Sequence, residues 1–398
     1  MLQALRERLR MNGERDLHMG EPGFLRKLIR PRRLEGLFLF VTARCNSKCK
    51  TCFYAEERQQ GEELRFDEIR RLAEHAPRFD KLWLAGGEPT LRDDLAEIVE
   101  LFHQRCGIGA VNFPSNGLTP DRLERSVKRL LESCPGLTIH LNLSLDGLGA
   151  THDAIRGVPG AFDRVIETLD RLERAFAGHP RLHRNVATVV TPDGLSELAD
   201  LGAYLFRRYS LATQFFETVR GDPRDPAVKT VTRGQLEQLH RELAPLYDAM
   251  ADRLFAKLPP GARHLARLYF VGVIDHLYRL QEENVEGPHP WGMACTAGLT
   301  TLVVDHNGAF RACELRPPCG RVQDHDYDLS AVLRSRELRE EIAAIGGGER
   351  AGCWCTHTCW MLSSMKFSPR TLLFEVPRRY LARGRRSTGR ASDLATSA

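Results

Sequence analysis

The sequence predicts an α/β chain built on a partial (β/α)6 barrel, extended by a helical insert and a small C-terminal cysteine-rich module of β-hairpin and helix. Three observations predict it. From Glu35 to about Phe216, short β-rich runs alternate with amphipathic helical stretches, the rhythm of parallel βα units. Between residues 232 and 285 that rhythm gives way to a helical apolar period. Beyond it the chain carries six of its 11 cysteines in about 65 residues.

Strands are expected at Gly36–Thr42, Lys81–Ala85, Gly109–Pro114, Thr138–Ser144, Arg184–Val190 and Thr213–Phe216. Helices are expected between them, at Asp67–Ala76, Asp93–Arg105, Pro120–Ser133, Ala161–Ala177 and Gly194–Tyr209, with Asp93 and Asp193 near N-termini. In the insert, Leu236, Leu239, Leu243, Leu246, Met250 and Leu254 share one helix face, as do Leu265, Leu268, Tyr269, Val273, Leu277 and Leu280. The turn Pro259-Pro260-Gly261 makes these a helical hairpin, read as a packing element in preference to a lid. Residues Leu299–Leu315 read as a β-hairpin whose Asn307-Gly308 turn supplies positive φ angles. The expected organisation is 1–34 a basic amphipathic segment, 35–217 the barrel, 218–290 the insert, 291–364 the cysteine module, and 365–398 a basic helix and tail.

At 398 residues, 42% hydrophobic and 27% charged, the composition excludes wholesale disorder. No run is long and apolar enough to cross a bilayer, and the N-terminus lacks a secretory signal, so a cytoplasmic protein is expected. Cysteines crowded into short-range groups fit metal ligation better than a disulfide framework. The net charge of +5 hides an asymmetry: residues 1–33 hold nine Lys/Arg against four Asp/Glu, residues 365–398 eight against two. An acidic body between basic ends argues against a nucleic-acid channel and predicts no nucleic-acid partner.

Cys45-Asn-Ser-Lys-Cys49-Lys-Thr-Cys52 sets three thiols on one short loop directly after the first strand. Converging thiolates imply a shared soft metal, either iron–sulfur or a zinc completed by a distant ligand. Three ligands leave one iron of a four-iron cluster open. The Cys-x3-Cys-x2-Cys loop resembles the signature of the radical S-adenosylmethionine (SAM) superfamily, and Gly86-Gly87-Glu88-Pro89 after the second strand is similar to that family's GGEP motif. The resemblance implies that Cys45, Cys49 and Cys52 hold a [4Fe–4S] cluster whose open iron binds SAM. It also implies that SAM is cleaved to a 5′-deoxyadenosyl radical that takes a hydrogen atom from substrate, with an electron donor such as ferredoxin or flavodoxin as partner.

The same resemblance places the SAM contacts on Gly86, Gly87, Glu88, Asn116 of Ser115-Asn116-Gly117, Ser144 and Asp146 of the following strand end, and Arg156. Here Glu88 would meet the amino group and Arg156 the carboxylate. One departure stands out. The residue before the third cysteine, often aromatic in the family, is Thr51, which leaves Phe53 or Tyr54 to face the adenine. Cys106 and Cys134 read as buried apolar residues.

In the last module, Cys295-x12-Gly308-x4-Cys313 looks like the opening of SPASM and twitch domains, which carry auxiliary clusters. One auxiliary [4Fe–4S] cluster is expected on Cys295, Cys313 and two of Cys353, Cys355 and Cys359. The family spacing favours Cys355 and Cys359; a structural zinc on the same thiols is the alternative. His357 is read as lying beside the ligands. The arginine-rich ends, with Leu2, Leu5 and Leu9, then Phe24, Leu25, Leu28 and Ile29, and finally Leu372, Phe374, Val376 and Tyr380, suit either docked helices or an anionic membrane surface at its inner face. The substrate stays open, with a small molecule, sugar or lipid preferred to a ribosomal peptide. A zinc-stabilised binding protein without catalysis is the rival from another class.

Overall fold

The computed structural model describes residues 34–56, 61–346 and 353–383. Six parallel strands, β1 (Gly36–Thr42), β2 (Lys81–Gly86), β3 (Ala110–Ser115), β4 (Thr138–Ser144), β5 (Leu182–Val190) and β6 (Thr213–Thr218), stand side by side in chain order. The intervening helices are α1 (Phe66–Glu74), α2 (Leu95–Cys106), α3 (Pro120–Ser133), α4 (Gly149–Arg156), α5 (Ala161–Ala175) and α6 (Leu198–Arg208). Of these, α4 was not foreseen. It is only eight residues long, and its sequence carries no apolar period to reveal it.

The strands alternate cleanly. On β4, Ile139, Leu141 and Leu143 are buried against the helices, while Thr138, His140, Asn142 and Ser144 are only half-buried on the inner face. Register sets Trp83, Asn112, His140 and His183 in one row across that face, with Asn142 beside Asn185 one row higher. The inner wall is thus polar over β3–β5, where Asn185 Nδ2 donates to Asn142 Oδ1 at 3.1 Å and Asn185 Oδ1 accepts from Thr213 Oγ1 at 2.8 Å. Over β1 it is apolar and closed. Phe38 stacks on Trp83 at 5.0 Å and meets Trp360 at 5.8 Å, so every residue of β1 is buried.

The insert forms two long helices, α7 (Arg233–Phe255) and α8 (Pro260–Asn284). Thr232 and Gln235 make a reciprocal capping box at the start of α7. Its apolar face, including Leu236, Leu239, Leu243 and Leu246, is buried, as a packing element requires; Gly202 of α6 lies against Leu246 and Leu243.

The hairpin β7 (Thr301–Val304) and β8 (Ala309–Arg311), with the short β9 (Gly320–Arg321), joins the barrel sheet, because β7 pairs in parallel with β1 from Gly36–Thr301 to Leu39–Val304. The turn differs from the expected pair of positive φ angles. Gly308 alone is left-handed, at φ +88°. Gly308 N donates to Asp305 O at 2.9 Å and Asp305 N to Ala309 O at 2.8 Å, so Gly308 occupies the left-handed position that closes a longer hairpin loop. Then follow α9 (Leu329–Leu333), α10 (Arg336–Gly346), α11 (Thr358–Met365) and α12 (Val376–Arg383). The N-terminal amphipathic segment lies outside the described residues. Among the described residues no helix is long and apolar enough to cross a membrane.

Candidate active site

The loop after β1 is braced from three sides. Lys48 N donates to Arg156 O at 3.0 Å and Lys50 N to Ile155 O at 2.9 Å, at the end of α4. Gly87 N and Glu88 N reach Thr42 O and Arg44 O, both at 2.8 Å, from the turn after β2. From the end of β3, Asn116 Nδ2 donates to Asn46 Oδ1 at 2.7 Å and to Ser47 Oγ at 3.1 Å. Cys45, Cys49 and Cys52 are half-buried on this loop, at the C-terminal edge of the sheet where βα folds place ligands. Among the described residues no three His, Cys, Asp or Glu side chains are gathered about a single-ion site. The donor set is nevertheless that of an iron–sulfur cluster: three thiols without a carboxylate or imidazole among them, and the Arg156 guanidinium 3.6 Å from Cys49 Sγ to offset thiolate charge.

The glycines of the turn after β2 are required for a reason other than ligand approach. A Cβ on Gly87 would lie 2.0 Å from Arg44 O and 2.9 Å from Ala43 O, both backbone atoms of the strand exit. Gly87→Ala is therefore expected to push the cysteine loop outward. Iron bound per chain after reconstitution should fall several-fold with far-UV circular dichroism unchanged; full iron loading would contradict this reading.

Glu88 is 2% exposed and its carboxylate is largely consumed internally. Its Oε1 accepts from Thr90 N, Thr90 Oγ1 and Ser115 Oγ at 3.2, 2.6 and 3.0 Å, and its Oε2 from Asn116 N at 2.7 Å. Burial pushes its pKa up against these bonds, which favour the ionised form. Glu88 thus ties the ends of β2 and β3 together, and Oε2 keeps one acceptor direction for an ammonium.

Asp146 departs further from the expected role. It is fully buried, with Oδ1 accepting from Val189 N at 2.9 Å and Oδ2 2.7 Å from Arg156 Nε. A carboxylate so enclosed cannot face a ribose; it positions Arg156. Burial works against the Arg156 charge, but Asp146 and the Cys49 sulfur more than restore it. Ser144 is half-buried on the inner face. The aromatic pair also resolves. Tyr54 is 3% exposed, packed on Phe40 and bonded to His306 Nδ1 at 2.6 Å, so it is not available to adenine; Phe53 is half-buried with the Arg220 guanidinium 5.1 Å over its ring.

His152 supplies a pH signature for this bed. Its Nδ1 accepts from Asp146 N at 3.0 Å, and burial, helped by Arg156, lowers its pKa from 6.5 to about 4. The folded chain therefore holds a neutral imidazole that the unfolded chain protonates below 6.5. Stability is fully present above that pH and is lost as pH falls toward 4, by about 3 kcal/mol if the whole shift is expressed. Denaturant midpoints measured against pH should show this slope in the wild type, and His152→Phe should flatten it.

In the second group, the hairpin brings Cys295 and Cys313 together, both 7% exposed. Burial raises Cys295 to about 11, with Cys353 adding to the effect, and Cys355 to about 12, with Cys353 and Cys295 adding. Cys313 is likewise raised by burial, with Glu314, Cys355 and Cys295 contributing. Cys295 thus lies near Cys353 and Cys355, and Cys313 near Cys295 and Cys355. Cys359, on the first turn of α11, is instead influenced by Glu217, Arg220 and Glu314, and Arg220 donates to it. Cys319 is half-buried apart from this group, beside Arg311 and Glu341.

Three residues that the sequence reading missed lie between the two cysteine groups. Arg220, just past β6, pairs with Glu314 at 3.1 Å and Glu217 at 3.5 Å. His357 Nε2 lies 2.9 Å from Glu314 Oε1. Burial would push Glu314 up, but Arg220 and His357 hold it at about 2. Burial also keeps His357 on the neutral side, so Arg220 carries the charge that keeps Glu314 ionised. Glu217 and Arg220 were discoverable in principle, since Glu217 lies at the C-terminal end of β6 and Arg220 just beyond it. Cys106 and Cys134 are fully buried, as expected, and burial raises Cys106 to about 12.

Residues 39–203 match the Radical SAM superfamily. The chain is 25% identical over 300 residues to the AdoMet-dependent heme synthase of Nitratidesulfovibrio vulgaris, covering 72% of this chain and 76% of that protein. It is 29% identical over 321 residues to a protein of Thermoplasma volcanium named "Probable GTP 3',8-cyclase", covering 78% and 90%. Among solved structures it resembles native anSMEcpe with bound AdoMet and Cp18Cys peptide, with a TM-score of 0.55 at 16% identity, over 86% of this chain and 99% of that one.

Proposed function

We propose that this chain, a radical SAM enzyme, holds its SAM-cleaving cluster on Cys45, Cys49 and Cys52 and an auxiliary cluster on Cys295, Cys313 and two of Cys353, Cys355 and Cys359. Bound on the first loop, a [4Fe–4S] cluster supplies the electron that cleaves SAM and releases a 5′-deoxyadenosyl radical. The reaction needs an external reductant, of the ferredoxin or flavodoxin class. The observation that carries the reading is the bracing of one loop: Gly87, Glu88, Asn116 and Arg156, from two strand ends and a helix end, all bond to it or to one another.

In this reading the backbone of Gly86 and Gly87 and the open side of Glu88 Oε2 receive the SAM ammonium. Arg156, anchored by Asp146, offers its free edge to the SAM carboxylate and its Nη1 to Cys49. Asn116 holds the loop through Asn46 and Ser47, and Ser144 would meet the nucleoside.

The substrate is a small molecule that hydrogen-bonds. The half-buried inner wall of Asn142, Ser144 and Thr213, with buried Asn185 behind it, offers amide and hydroxyl groups at the same end of the barrel. The relatives matched over most of their length are named for heme and GTP chemistry, which supports the same choice. The test is deuterium transfer. Reconstituted protein with SAM and dithionite is offered the small-molecule and the peptide fractions of cells grown in heavy water. Deuterium should enter 5′-deoxyadenosine from the small-molecule fraction; transfer from the peptide fraction alone would replace this reading with peptide maturation.

A further inference from the structure

Most exposed large apolar side chains among the described residues sit at one place. Leu373, Phe374 and Leu381 are 61%, 67% and 67% exposed, on the segment leading into α12 and on α12 itself. Leu265 of α8, 54% exposed, adjoins them through its neighbour His264, whose ring meets Tyr380 at 6.0 Å. The opposite face of the segment is docked and cannot turn over: Thr371 and Val376 are buried, Val376 O lies where a Cβ on Gly272 of α8 would stand, and Arg383 reaches Asp275 at 2.7 Å and Asp248 at 3.1 Å.

The outward face is therefore fixed by packing, and its charge is net positive. Arg378 falls between Phe374 and Leu381 on this face, and Arg370 one turn before Phe374, with side chains 76% and 74% exposed. Glu375, 21% exposed, stands 3.9 and 4.0 Å from the two arginines and offsets one of them, so the group keeps a net positive charge. The sequence past α12 adds Arg385, Arg386 and Arg390 against the single Asp393.

We infer that this face docks the protein on an anionic lipid surface, Leu373, Phe374 and Leu381 entering the headgroup boundary and Arg370 and Arg378 meeting lipid phosphates. The occupant follows from the charge. A second copy would set the same arginines against one another, and the chain's own residues 1–33, with nine Lys/Arg against four Asp/Glu, are repelled by it. A nucleic acid would use the arginines and leave the three apolar side chains in water.

The test is co-sedimentation of the full-length protein with vesicles of equimolar phosphatidylcholine and phosphatidylglycerol, and with phosphatidylcholine alone. Binding should occur to the anionic vesicles only and fall as salt is raised. Phe374→Asp/Leu381→Asp should weaken it by at least about tenfold, and each of Arg370→Gln and Arg378→Gln by about fivefold. These side chains are exposed, so melting temperature should not move, and this distinguishes lost docking from lost fold. Four results would overturn the inference: no sedimentation with anionic vesicles, binding unchanged in the Phe374/Leu381 variant, binding that appears only when residues 1–33 are removed, or a dimer that the same variant dissociates. Equal retention of duplex DNA by wild type and that variant, without vesicle binding, would assign the arginines to nucleic acid instead.

Discussion

Cys49→Ala, reconstituted anaerobically with iron and sulfide, should lose the first cluster's share of iron and its reduced-state electron paramagnetic resonance signal while keeping the signal of the second. Two thiolates on a half-buried loop hold a four-iron cluster poorly, and Cys49 is the thiol that Arg156 contacts. Without the open iron, the SAM amino and carboxylate groups have no chelating partner, and the affinity supplied by Glu88 and Arg156 alone should be at least about tenfold weaker. Cys106→Ala is the matched control. That thiol is fully buried behind the sheet, where its loss removes packing only. Iron content equal in the two variants would remove the first loop from the account.

Arg220→Met should have the second largest effect, on stability and on the auxiliary cluster together. The substitution keeps most of the side-chain volume and strips the one charge that keeps Glu314, 3% exposed, ionised at small cost. Breaking a buried pair from one side typically costs about 3–5 kcal/mol. Arg220 is 27% exposed, so solvent reaches it and the lower end of that range is expected. Because Arg220 also touches Cys359 and covers Phe53, next to Cys52, the loss should loosen the contact between the two cysteine groups. Arg220→Met/Glu314→Gln should recover most of the stability, since the stranded carboxylate is then gone. A denaturant series on the single and double variants, with iron per chain, checks both parts; a single variant as stable as wild type would mean that the pair is not buried in solution.

The six barrel strands were legible because each is a short β-rich run bounded by turn residues, and the first cysteine loop because its three thiols fall within eight residues of one loop. What failed was whatever depends on distant segments. Pairing of β7 with β1 leaves no local trace, since Thr301–Val304 would read the same on an isolated hairpin. Spacing likewise does not say that Cys359 begins a helix and turns toward Arg220. Asp146 has the right residue type at the right strand end, yet its carboxylate is enclosed by Val189 and Arg156. Its neighbours come from β5 and α4, and only the folded chain brings them there.

The central claim is that the Cys45, Cys49 and Cys52 loop drives reductive cleavage of SAM. Protein reconstituted anaerobically, reduced with dithionite and given SAM should be brown and should release 5′-deoxyadenosine and methionine in equal amounts, at a level that Cys45→Ala abolishes. Fully iron-loaded wild-type protein that forms no 5′-deoxyadenosine under these conditions would contradict the claim.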